Sequence, residues 1–335
     1  MLKKSSKKSA VKKAAKKKAS DPNAGMEAAM RQLEEMLVSS GMAATGDLNA
    51  LMASLAGPSA REGLSDAEAN ARDEAQQWAF EAMEATSEAQ ARKLAKRALR
   101  LDPDCLDALV VLADLDAHTQ REMIEALQKA VAAGERSLGE KFIRENKGDF
   151  WLLLETRPYM RAMERLAALL RGEGIRLDAI GVYRRMLELN PNDNQGVRDP
   201  LLGLYLETGD LKGAREVLEE YKEDASANFA WARVLERFLA AKRGEASAAL
   251  KQARRANRHV ELYLAGRKTL PKHPPEMYSP GSEEEAALCM GYLSGAWAAH
   301  KEAVFWLLDQ LAADGVQPVP RKAGRFPTSG PGDQL

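Results

Sequence analysis

The stretch LDAIGVYRRMLELNPNDNQGVRDPLLGLYLETGDLKGAREVLEEY, Leu177 to Tyr221, holds one pattern twice. Ala179 stands near the start of an amphipathic segment, and Ala214 stands at the same place in another, 35 residues later. Pro191 ends the first segment, because proline lacks the amide that a continuing helix needs. Gly209 then marks a turn between two further helices. Working outward, the same small residue recurs at Ala91, Ala126, Ala249 and Ala303, with successive separations of 35, 53, 35, 35 and 54 along the chain.

A fixed period of this length is the mark of stacked helix pairs, close to that of tetratricopeptide repeats. Other features agree. Large-then-small couples, Trp78 with Ala79, Leu166 with Ala167 and Met290 with Gly291, fall inside first helices. Pro103 and Pro191 follow second helices, and Ser65 with Glu68, Ser87 with Gln90 and Ser282 with Glu285 match the spacing of a capping box. The fifth unit, around Trp231 to Asn257, has only its second helix well marked. The expectation is an all-α, tetratricopeptide-like superhelical solenoid of about six helix pairs across residues 64–313, with no β-sheet. Such pairs cannot bury their apolar faces alone, so each neighbour supplies the other's core.

The two longer separations require insertions. The first falls within Gly134 to Pro158 and includes GDFWLLLETRPYMRAM, which puts Phe150, Trp151 and Tyr159 beside a Glu-Thr-Arg-Pro corner. One reading makes Phe150, Trp151 and Leu153 a plug at the joint between two pairs, with Glu155 in an ion pair with Arg157 or Arg161. The other makes Trp151, Arg157, Tyr159 and Arg161 a partner-binding patch for a peptide or acidic ligand, since arginine and aromatic side chains are the usual anchors of interfaces. The second insertion, near Arg258 to Gly281, carries Pro271, Pro274, Pro275 and Pro280 and reads as an extended crossover rather than a helix. Its Arg267, Lys268 and Lys272 are read as part of a solvated connector.

Residues 1–20 carry nine lysines and no acid, so the formal net charge of zero conceals an acidic body with 40 basic and 49 acidic side chains. Residues 1–24 read as a disordered Lys-rich tail. Residues 25–63 form a Met-rich amphipathic segment and linker, and residues 314–335 a disordered Pro/Gly-rich tail. Cys105 and Cys289 make no disulfide framework or zinc spacing. The four histidines, His118, His259, His273 and His300, stand alone, and no HExxH, CxxC or Walker loop occurs. GEG at Gly172–Gly174 reads as a turn. No catalytic residue, cofactor or metal is expected, no apolar run is long enough to span a bilayer, and a cytoplasmic location is the reading.

The runs ALRLDPDCLDALVVLADL, FWLLLETRPYMRAM, YRRMLELNPNDNQGVRDPLLGLYLETGD, HVELYLAGRKTLP and YSPGSEEEAALCMGYLSGAW together resemble a tetratricopeptide-like family. That family is known from the animal suppression-of-tumorigenicity proteins and from uncharacterised bacterial relatives, to which this chain looks nearer. The animal proteins carry membrane segments that have no counterpart here. Asn257-Arg258-His259-Val260 stands where bacterial relatives read Asn-Pro-His-Val, which loosens the helix stop expected there. The resemblance implies a fold and a style of binding, not a reaction. The function expected is that of a non-catalytic scaffold or adaptor that holds a protein or peptide in the groove lined by its first helices. The alternative is a nucleic-acid- or ribosome-associated protein whose lysine tail attracts phosphate.

Overall fold

The computed structural model describes residues 64–313, and among them every regular element is helical. In chain order the α-helices are α1 (Asp66–Glu84), α2 (Glu88–Leu101), α3 (Leu106–Asp116), α4 (Gln120–Leu138), α5 (Glu140–Glu145), α6 (Arg157–Gly172) and α7 (Arg176–Leu189). They continue with α8 (Arg198–Thr208), α9 (Leu211–Glu220), α10 (Ala227–Leu239), α11 (Arg243–Ala256), α12 (His259–Leu264), α13 (Glu283–Ala299) and α14 (Lys301–Ala313). A 3-10 turn, Leu154–Thr156, precedes α6. The lysine tail, the Met-rich segment and the Pro/Gly-rich C-terminus lie outside the described residues.

Local chemistry accounts for the boundaries. Ser65 and Glu68 cap α1 reciprocally, the hydroxyl accepting from the Glu68 amide and the carboxylate from the Ser65 amide at 2.8 Å. Thr119 and Glu122 form a second such box on α4, which the sequence reading had not marked. At Ser282 the expected box is half made: the hydroxyl caps Glu285, while the Glu285 carboxylate is engaged elsewhere. Between α8 and α9 the chain turns through Gly209 at φ +76°, a left-handed conformation that costs glycine little, and Asp210 then accepts from the Gly213 amide. Pro158 occupies the first turn of α6, where its missing amide has no intrahelical partner to lose.

Five helix hairpins follow the expected order: α1 with α2, α3 with α4, α6 with α7, α8 with α9, and α10 with α11. One continuous core runs from Leu106 to Leu307, and a smaller one, built mostly of alanine, joins α1, α2 and α3. The fifth pair is better formed than its sequence suggests, for α10 buries Phe229, Trp231, Ala232, Val234, Leu235 and Phe238.

Four expectations are corrected. Ala126 and Ala249 are only partly buried; in α11 the close contact belongs to Ala246, fully buried and three residues earlier than a constant period places it. Gly291 is not a close-packed small residue, since a Cβ there would meet nothing within 4 Å. The second insertion is not wholly extended, because it opens with α12. The helix stop at Asn257 is not loosened by the absent proline. Asn257 leaves the helical region at φ −160°, its Oδ1 accepts from the His259 amide, and its Nδ2 donates to Ser282 O and Glu285 Oε2.

Candidate interaction surface

The joint between α4 and α6 is built from the inside. Phe150 is fully buried between Phe142 and Tyr159, with ring centroids 6.2 and 6.3 Å away. Its amide and that of Gly148 both donate to Leu189 O at the end of α7, which ties the insertion to the next hairpin. Thr156 Oγ1 donates to the Phe150 carbonyl and closes the corner. Tyr159 is 1% exposed, and its hydroxyl donates to Glu135 at 3.0 Å. Burial first, and then the Glu135 charge, pushes this phenol far above its ordinary range. A Cβ on Gly134 would fall 2.7 Å from the Tyr159 ring, so the glycine admits the aromatic.

The four candidate residues therefore separate into three environments. Tyr159 belongs to the core. Trp151 and Arg157 are partly exposed and lie together, the guanidinium 5.4 Å from the indole centroid and its Nε donating to the Trp151 carbonyl. Arg161 faces α3, where its Nη2 reaches both oxygens of Asp107 at 2.9 and 3.2 Å. Phe150 and Tyr159 thus pack inside the joint, while Trp151 and Arg157 stay partly exposed at its surface.

Arg161 belongs to a polar ladder along the first helices. Gln76 of α1 donates to Asp107 of α3 at 2.7 Å, Arg161 of α6 holds the same carboxylate, and Arg165, one turn on, holds Asp114 of α3. Asp107 is 3% exposed and satisfied by these partners, so the ladder fixes how α1, α3 and α6 sit side by side. Glu164 accepts from Gln195 on the same stretch of α6. Among the described residues, α1 packs on α2 and α3, α3 on α1, α2, α4 and α6, and α6 on α3, α4, α7 and the joint before it, with no further helix packed extensively on the three.

At α8 and α10 the arrangement differs. Seven consecutive residues of α8, Pro200 to Leu206, are buried, so every face of that helix is covered. The helix that completes the cover is α13, which packs along α8 and against α10 instead of simply following α11. Gly203 approaches it so closely that an added Cβ would stand 2.3 Å from the Tyr292 carbonyl oxygen, while one on Gly295 would stand 2.9 Å from the side-chain carboxylate of Glu207. Trp297 of α13 packs its edge on Trp231 of α10, 6.3 Å between centroids. Glu285 accepts from the Ala227 amide at the start of α10, and Arg171, at the end of α6, donates to Gly291 O at 3.0 Å. The expected groove is thus filled over α8 and α10 by the chain's own helix.

Of these anchors the sequence marks only Glu285, as a helix cap, and Trp231, as the start of the fifth unit. The available signal was Gly203 and Gly295 inside helical patterns, where glycine costs roughly 1 kcal/mol relative to alanine and so points to a close approach, of backbone at Gly203 and of the Glu207 side chain at Gly295. Both cysteines are buried, and burial, with the Asp199 and Glu285 charges, pushes the Cys289 thiol well up. Among the described residues, no group of three or more His, Cys, Asp or Glu side chains is placed to hold a metal, and no helix is long and apolar enough to cross a membrane. No protein-family model matches the chain, and no curated protein sequence matches it.

Proposed function

We propose that this chain is a non-catalytic interaction module of tetratricopeptide-like helix pairs, related in architecture to the family its sequence resembles. Its partner, a protein or peptide segment, lies across α1, α3 and α6. The observation that carries this reading is the contrast between two halves of the first-helix row. The α8–α10 half is covered by α13, while the α1–α3–α6 half presents a polar ladder with no such helix over it among the described residues. Ion-paired side chains held in place by neighbours suit recognition of a backbone or polar segment, because they lose little rotamer freedom on binding.

Site-specific photocrosslinking tests it. A photoreactive side chain at Ala168, exposed on α6 about two turns beyond Arg161 on the same face, should trap the partner, and one at Lys129, exposed on α4, should not. Equal adducts from both positions, or none from Ala168 while binding persists, would refute the placement. A second reading is favoured by the nine lysines of residues 1–20: attachment to RNA or another polyphosphate. Salt-sensitive RNA binding that disappears with deletion of residues 1–20, without any adduct at Ala168, would select that reading instead.

A further inference from the structure

Phe80 of α1 is 8% exposed, yet neither core includes it. It stands about 200° round the helix from Trp78, whose ring lies 3.5 Å beneath the Arg97 guanidinium of α2, so Phe80 points away from α2. One turn earlier on the same face, Gln76 reaches across to Asp107 of α3. Phe80 therefore belongs to the α1–α3–α6 side of the first-helix row. Burial of a phenylalanine consumes about 150–250 Å² of surface, more than a ring on an uncovered helix face can hide. Among the described residues α1 packs extensively only on α2 and α3. On the same side the Arg161 side chain is only 17% exposed, although no described helix lies over it. Both observations call for further chain across this face.

The molecule already covers α8 and α10 with its own α13, and its sequence offers an occupant for the other half. Met26, Met30, Leu33 and Leu37, which lie outside the described residues, form one narrow apolar stripe at helical spacing. As a helix, residues 26–37 would measure about 18 Å. Three neighbouring helices with axes about 8–10 Å apart present a row about 16–20 Å wide, so the lengths match. Residues 38–63 lead from the segment to the cap of α1, at the edge of that row, and are long enough to return to any point on it. Methionine, unbranched and polarizable, suits a floor that mixes an aromatic ring with polar side chains. Glu27 and Glu34 edge the stripe, acids that suit the end of the row where Arg157 is partly exposed.

We infer that residues 26–37 dock as an amphipathic helix across α1, α3 and α6, with their apolar stripe on Phe80, and occupy this face until a partner displaces them. The inference rests on the reading of the face as the partner site and supplies its regulation. A flexible tether presents such a segment at about millimolar effective concentration, so even weak docking competes with a partner in solution.

A photoreactive side chain at Met30 of the full-length protein tests the docking. Irradiating a mixture of isotope-labelled and unlabelled protein should give adducts to α1, α3 or α6 within single chains. Adducts that join labelled to unlabelled chains put a second copy on the face, and adducts confined to α4, α7 or α11 put the segment elsewhere; either result overturns the inference. Phe80→Ser should lower the yield severalfold, whereas Glu81→Ser, at an exposed position of the same helix, should not. Should Phe80→Ser fail to fold, Leu33→Asp, outside both cores, should give the same loss, and an unchanged yield overturns the inference. Leu33→Asp should also raise partner adducts at Ala168, and equal adducts with and without it overturn the regulation. Partner adducts at Ala168 without Met30 adducts on the row refute the docking alone. Absence of partner adducts at Ala168 in both forms refutes the partner site, while Met30 adducts to α1, α3 or α6 still support the docking.

Discussion

Gly203→Ala probes the seating of α13 most directly. The added methyl would fall 2.3 Å from the Tyr292 carbonyl oxygen and 3.2 Å from its carbon. A carbon–oxygen contact ordinarily stands at about 3.3–3.6 Å, so about 1 Å must be found. Both obstructing atoms are backbone, hence no rotamer change can relieve the clash; α13 has to move, and Trp297 and Leu293 move with it. Overpacking of this kind costs about 1–3 kcal/mol, and a backbone obstacle places it at the upper end. Alanine in place of glycine within a helix returns about 1 kcal/mol, which leaves a net loss of about 2 kcal/mol. Gly291→Ala, on α13 itself, meets nothing within 4 Å and should gain up to about 1 kcal/mol. Urea unfolding followed by tryptophan fluorescence, with Trp231 and Trp297 reporting at the contact, should separate the variants by about 3 kcal/mol. If Gly203→Ala is as stable as Gly291→Ala, α13 does not rest on α8.

Arg161→Ala leaves the buried Asp107 carboxylate with Gln76 but without its cation and should cost about 3–5 kcal/mol in thermal or chemical unfolding, most of it recovered in the Arg161→Ala, Asp107→Asn double variant. Arg157→Ala, removing a partly exposed guanidinium, should stay within about 1 kcal/mol by the same measurement. Ala246→Leu should destabilise by about 1–3 kcal/mol while Ala249→Leu is tolerated, and the reverse order of melting temperatures would restore the constant 35-residue spacing. Ala179→Leu and Ala214→Leu, both at fully buried positions, should lose about as much as Ala246→Leu.

The helix pairs were legible because their signals are local. A proline after α2 or α7, a glycine at φ +76° after α8 and a serine before α1 each act within one turn of the residue concerned. Small-residue spacing was a weaker guide. It located Ala91, Ala179, Ala214 and Ala303, all buried, but at Ala249 it followed sequence regularity past the residue that touches the neighbouring helix. The candidate patch was half legible: composition singled out Trp151, Arg157, Tyr159 and Arg161, yet which of them would turn inward depended on Gly134 and Asp107, 25 and 54 residues away from Tyr159 and Arg161. The docking of α13 is long-range in the same sense. Its anchors meet residues that no periodicity connects, such as Glu285 with the amide of Ala227.

That docking also gives a reason for the proline-rich stretch. Helix–helix connections in compact domains commonly need about 2–8 residues, so a sixth pair stacked directly beyond α11 would require no long crossover. Eighteen residues, 265–282, separate α12 from α13, and α13 packs not only on α10 but also on α8, one hairpin further back. The surplus chain supplies the reach. Its end is fixed where Lys268 pairs with Glu283 and where Asn257 donates to Ser282 O, so the crossover is pinned at the entrance to α13. Prolines along it restrict the unfolded chain and thereby reduce the entropy lost when α13 docks. The 54-residue separation that interrupted the repeat is thus better understood as the length required to bring a helix back over the row than as a binding loop. It also divides that row physically, since α13 can cover α8 and α10 while the α1–α3–α6 face keeps its ladder of paired charges.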